Sequence, residues 1–129
     1  RPVSLFGFSL GALVVLHCLL ELSAAGGRDA FGRIEHVVWL GLPAKTPSPA
    51  TLRMLRAVVA GRFVHGYCRT DWLLKFLFRT TELHIGDVAG LVPIDAEGIE
   101  SVDLSDEIVN HADYARHLKT IVLDYLFIF

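Results

Sequence analysis

Along the chain, short runs of consecutive apolar residues alternate with longer stretches whose apolar residues recur every three or four positions. The first kind fits strands buried on both faces, the second helices packed on a sheet. "PVSLFGF" predicts a short buried strand over residues 2–8. Residues 10–25 predict a helix that is apolar nearly all round, with Glu21 its only charge before Arg28 and "GG" at 26–27 as its stop. A helix of that composition is expected to be covered on more than one side. "RIEHVVWLGLP" holds a second strand over 34–41, closed by Pro43, and a helix starts at Pro49 with Ser48 as N-cap. "GRFVHGYC" gives a third strand over 62–67, and "TDWLLKFLFRT" a further helical segment with Thr70 as its cap. The glycine-rich "ELHIGDVAGLVPIDAEG" reads as an irregular excursion. "IESVDLS" gives a fourth strand over 99–104, and a helix over 111–127 closes the chain. Strand and helix thus alternate four times. That order predicts a mainly parallel sheet of about four strands with crossover helices, in three layers.

Bulk composition sharpens this picture. Hydrophobic residues make up 53% of the 129, and mean hydropathy is +0.48. Membrane segments and doubly buried strands both produce such values. The longest apolar runs, "LGALVVLHCLL" and "TIVLDYLFIF", fall short of the roughly 20 residues a bilayer span needs, and the second carries Asp124. Buried elements of a layered α/β domain are therefore expected. A formal net charge of −2 supplies no basic footprint, so nucleic acid is not an expected partner. Cys18 and Cys68 form no CxxC pattern and are both expected as buried free thiols in a reducing compartment. No HExxH, paired CxxC or P-loop is present, so no metal or organic cofactor is expected. The chain starts inside its first strand, without Met or a signal peptide, which suggests a fragment of a longer protein.

One stretch points to chemistry. "GFSLG", residues 7–11, stands between the first strand and the first helix, the setting of a nucleophile elbow. There a strained backbone lifts Ser9 clear at the carboxyl end of the sheet. Gly7 and Gly11 are expected because a Cβ at either position would clash at so tight a turn. The amide of Leu10, opening the helix, would point at a developing oxyanion. The bland reading is a glycine-rich packing turn.

A serine nucleophile needs a base, and the base needs an orienting acid. In such folds the chain order is Ser, acid, His. His17 and His36 fall within the first helix and second strand, His65 within the third strand, and His117 on a solvated face of the last helix. His111, in the loop after the fourth strand, is the favoured base, with His84 and His117 as rivals. For the acid, "CRTDW" after the third strand offers Asp71, which can also serve simply as a helix N-terminal carboxylate. Asp103 and Asp106 are its rivals; Asp87 and Asp95 are weaker ones.

"RPVSLFGFSLGALVV", "VVAGRFVHGYCRTDWLLKFLFR", "VAGLVPI" and "GIESVDLSDEIVNHADY" together resemble the hydrolase-like domain of the transmembrane and coiled-coil domain-containing protein 4 family. The resemblance spans nearly the whole chain. It implies an α/β-hydrolase fold, of which residues 1–129 form a single partial domain running from the elbow strand to the C-terminal helix. It also implies Ser9, Asp71 and His111 as a catalytic triad, with Asn and Ser usual in the family where His65 and Cys68 stand. About four further strands and a second oxyanion donor would lie upstream. Such a piece alone would expose one sheet edge and be weakly active or inactive.

Together these readings imply a serine hydrolase acting on a carboxylic ester, small or lipid, in an intracellular, membrane-associated protein whose membrane segments lie outside this chain. A thioesterase or peptidase would need the same triad. The alternative is a catalytically silent interaction or trafficking domain that keeps the fold. Trp72, Phe76 and Phe78 could line an acyl pocket, but at helical spacing they read more readily as core.

Overall fold

A computed structural model describes residues 2–71, 74–75, 87–106 and 113–121. Four strands, β1 (Val3–Phe8), β2 (Ile34–Leu40), β3 (Phe63–Tyr67) and β4 (Ile99–Asp103), form one sheet in the order β1-β2-β3-β4. All three pairings are parallel, with Phe8 opposite Leu40, Leu40 opposite Gly66, and Tyr67 opposite Asp103. The expected parallel α/β architecture is therefore present. Because every strand points the same way, the residues that follow β1, β3 and β4 all emerge at one edge of the sheet.

The long helix α1 (Leu10–Gly26) follows β1 directly, and Gly27 in positive φ, 50°, ends it at the expected glycine pair. A short 3₁₀ turn (Gly27–Ala30) leads on to β2. The helix α2 (Pro49–Val58) starts as expected. Pro49 occupies its first turn and the Ser48 hydroxyl accepts from the Thr51 amide at 3.2 Å. Two short helical pieces, α3 (Asp113–Arg116) and α4 (Leu118–Thr120), lie within the predicted closing helix. Among the described residues that helix is not continuous. It breaks at His117 (φ −106°, ψ 15°), which is half-buried rather than on a solvated face. His111, His84, Trp72, Phe76 and Phe78 lie outside the described residues.

Side chains alternate across the sheet, as strand geometry requires. Val37, Trp39 and Phe63 join a core with Leu16 and Leu19 of α1 and Leu52 and Leu55 of α2. Val38, Leu40 and Val64 face the other way and pack with Tyr114 and Ile121 from the C-terminal region. The sheet is thus the middle of three layers.

Two expectations are corrected. Helix α1 buries one face, through Ala12, Val15, Leu16 and Leu19, while Leu10 and Val14 on its outer side are 69% and 64% exposed. Cys18 continues that outer row and is exposed; Cys68 alone is a buried thiol. Apolar composition all round a helix sets what it could bury, whereas coverage depends on which elements lie beside it.

Leu19→Ala should cost about 3 kcal/mol, because its fully buried side chain leaves a cavity between helix and sheet. Met54→Ala, at a half-exposed position of α2, should stay within about 0.5 kcal/mol. Urea denaturation of the two variants measures the contrast.

Candidate active site at the carboxyl edge of the sheet

Ser9 sits where β1 becomes α1, with φ 55° and ψ −122°. Among the described residues no other non-glycine residue has positive φ. Holding a Cβ there costs on the order of 1–3 kcal/mol, which the surroundings must offset. They do so through the backbone. The Ser9 amide donates to the Leu40 carbonyl at 2.9 Å, extending the β1–β2 ladder, and the Ser9 carbonyl accepts from Leu13 at 3.3 Å in the first turn of α1. The serine occupies the N-cap position, yet its hydroxyl makes no capping bond to the helix. The turn therefore holds the hydroxyl out of the role that a serine ordinarily plays there. Leu10 opens α1, so its amide belongs to the helix N-terminus, where partial positive charge collects.

The two glycines of the motif differ. A Cβ on Gly7 would lie against the Gly11 carbonyl oxygen and 2.8 Å from the Ala12 nitrogen. This is backbone, which cannot step aside. At Gly11 an added Cβ meets no atom of the described residues within 4 Å. The close approach expected of both glycines is thus carried by Gly7 pressing on the backbone of Gly11.

Asp71 lies in the loop after β3, at the same sheet edge as Ser9, and is completely buried. One carboxylate oxygen, Oδ1, accepts from the Leu74 amide at 3.1 Å, and the Asp71 amide donates to the Cys68 carbonyl at 3.3 Å. Asp71 thus makes the helix N-terminal contact that its sequence context suggested. The buried Tyr114 ring comes up from α3, its hydroxyl pushed far above the usual phenol range by burial first, then by Cys68, Asp71 and Asp103.

The histidines sort by environment. His17 is exposed on α1. His36 accepts from the Arg62 amide at 2.9 Å through Nδ1, a structural link between β2 and the start of β3. His65 is fully buried. Its Nδ1 accepts from Trp39 Nε1 at 2.8 Å, so Nε2 carries the hydrogen and donates to the Val92 carbonyl at 2.8 Å. Burial lowers its pKa to about 4, while bonds to the Val92 and Ala89 carbonyls pull weakly the other way. His65 is a neutral core imidazole with both nitrogens engaged. Asp103, a rival acid, has its carboxylate taken up by Ser105 and Arg69.

A cleft of about 530 Å³ lined by Cys18, Leu22 and Ala30 lies at the far end of α1. Its lining on α1 begins at Cys18, about 14 Å along the helix from Ser9, and it includes none of the catalytic candidates. Among the described residues no group of three or more His, Cys, Asp or Glu side chains is placed to hold a metal ion.

Fold and turn together define a class: a three-layer α/β protein with a serine on a strained strand-to-helix turn. Within it, the chain belongs to the family described as "Protein of unknown function (DUF726)", which matches residues 1–126. It is 42% identical to an uncharacterized membrane protein of Caenorhabditis elegans, covering 95% of this chain and 20% of that protein. It is 41% identical to the Oryza sativa "Transmembrane and coiled-coil domain-containing protein STS1", over 95% of this chain and 18% of the relative. It is 38% identical to the Saccharomyces cerevisiae "Probable lipase MIL1", over 95% of this chain and 11% of the relative. The resemblance seen in the sequence holds, and the chain spans a fifth or less of these relatives' lengths. No solved structure matches it.

Gly7→Ala should destabilise the domain by about 2 kcal/mol or more, since the new methyl meets backbone. Gly11→Ala should be neutral or stabilise it by up to about 1 kcal/mol through helix propensity. Thermal melts compare them. Acid provides a second test. The His65 pKa is about 4 in the fold and 6.5 unfolded, so as pH falls through this window the unfolded chain binds the extra proton. The stability present above pH 6.5 should drop by about 3 kcal/mol towards pH 4. His65→Asn should remove that dependence in pH-resolved urea titrations.

Proposed function

We propose that the domain is a serine hydrolase acting on carboxylic esters, with lipid esters as the substrate class. The observation that carries this reading is the Ser9 backbone, φ 55° and ψ −122°, at the carboxyl end of a buried parallel strand. A positive φ on a β-branch-free but non-glycine residue is retained at a cost, and such costs concentrate where a side chain must be presented for chemistry. Asp71, buried at the same edge two strands away, supports it. So does a 38% identical relative named a probable lipase.

In this mechanism Ser9 Oγ attacks the ester carbonyl carbon while His111 takes the hydroxyl proton. The Leu10 amide donates to the oxyanion that forms. The tetrahedral species collapses, His111 returns the proton to the departing alkoxide, and an acyl-serine remains. Water, deprotonated by the same imidazole, then releases the carboxylic acid and restores Ser9. Asp71 accepts from the imidazole N–H throughout, holding its tautomer and stabilising the imidazolium. A carboxylate buried from water suits that task.

The longer protein is read as membrane-associated, in line with relatives named as membrane proteins. Among the described residues one helical stretch, Leu10–Ala30, is long and apolar enough to cross a bilayer by length and composition, with a mean hydropathy of 1.7. One face of this stretch packs on the sheet through Leu16 and Leu19.

A fluorophosphonate probe should label Ser9 in the longer protein, and Ser9→Ala should abolish labelling. Asp71→Asn and His111→Ala should each slow ester turnover by about 10³–10⁴. Equal labelling of wild type and Ser9→Ala would defeat the enzyme reading and leave the silent interaction domain.

A further inference from the structure

Past the end of the sheet, the loops after β3 and β4 stay tied together. The last backbone ladder bond runs from the Leu104 amide to the Tyr67 carbonyl at 2.8 Å. Beyond it the Arg69 amide donates to Ser105 Oγ at 2.9 Å. The same hydroxyl donates to Asp103 Oδ1 at 2.5 Å, and the Ser105 amide donates to that oxygen at 2.9 Å. Arg69 Nε donates to Asp103 Oδ2 at 3.4 Å, closing the ring.

Two features make this more than a surface ion pair. The Arg69–Asp103 contact alone, with half-exposed partners, contributes little. The serine hydroxyl, however, relays a backbone amide onto a carboxylate, a charge-assisted chain in which each bond strengthens the next. Burial works against the charged form of Asp103, yet the bonds from Ser105 and then the Arg69 pair outweigh it and keep the carboxyl below its usual range. The Arg69 guanidinium also lies 5.3 Å over the Tyr67 ring, which stacks on His65 at 5.8 Å with planes 12° apart. The loop is thereby keyed to the buried aromatic row along β3.

What the ring joins matters. Arg69 stands two residues before Asp71, and Ser105 stands six before His111 in sequence. We propose that Arg69, Asp103 and Ser105 are positioning residues that brace the Asp71 loop against the loop that follows β4, so that the acid keeps its place during turnover. This rests on the hydrolase reading above.

The test uses the longer protein carrying Ser105→Ala or Ser105→Thr, with hydrogen exchange of residues 66–71 and 104–106 beside kcat and KM on a p-nitrophenyl ester. Ser105→Ala should speed exchange in both segments, most directly at the Arg69 amide. It should lower kcat ten- to about a hundredfold with KM within about twofold, because misplaced groups cost rate rather than ground-state binding. Ser105→Thr, which keeps the hydroxyl, should restore both. Unchanged exchange would show that the ring ties nothing, and faster exchange with wild-type kcat would reduce it to a structural brace; either overturns the proposal. A wild type that neither labels nor turns over ester would overturn the hydrolase reading, and the positioning role with it. The exchange data would still report whether the loops are joined.

Discussion

Where β1 hands over to α1, the backbone of Gly7 lies so close to the Gly11 carbonyl and the Ala12 amide that no side-chain carbon fits between them. That approach lets the helix start one residue after Ser9 and fold straight back over the sheet. It leaves Ser9 little choice but the mirror-image turn conformation, secured on one side by Leu40 and on the other by Leu13. The helix then buries Ala12, Val15, Leu16 and Leu19 on β1 and β2. The serine's unusual backbone is thus imposed by packing rather than by its own preferences, which is how a strained residue persists in a marginally stable fold.

The parallel sheet places this local event among the other candidate site residues. Because the strands run the same way, chain segments far apart in sequence deliver their loops to one edge. Ser9, Asp71 and the Arg69–Ser105 ring all lie there, while the other edge carries structural pairs such as Arg62 with Glu100. Apolar side chains close both faces of the sheet. Variation in the edge loops is therefore decoupled from the core, the usual division of labour in layered α/β folds.

Much of this was legible in the amino-acid order. The short, β-branched run around Val37–Leu40 fits a strand covered on both faces, and Ser48–Pro49 marks a helix start by its own chemistry. The elbow could be placed because its turn, strand and helix are adjacent in sequence. Other features were hidden because they depend on neighbours. Cys18 and Val14 look buried by composition but face outward, since nothing among the described residues covers that side of α1. The ring at Asp103 follows from Tyr67 standing opposite it, and parallel register is not written in either strand alone. The break at His117 likewise has no glycine or proline to announce it.

The bond from Trp39 to His65 gives the domain an optical gauge. Its indole is fully buried with its N–H committed to one imidazole nitrogen, and the sequence holds only one other tryptophan, Trp72. An imidazole that gains a proton cannot accept that bond. The emission of Trp39 should therefore respond when His65 gains a proton, and with Trp72 replaced by phenylalanine it would follow the integrity of the central strands without any added label.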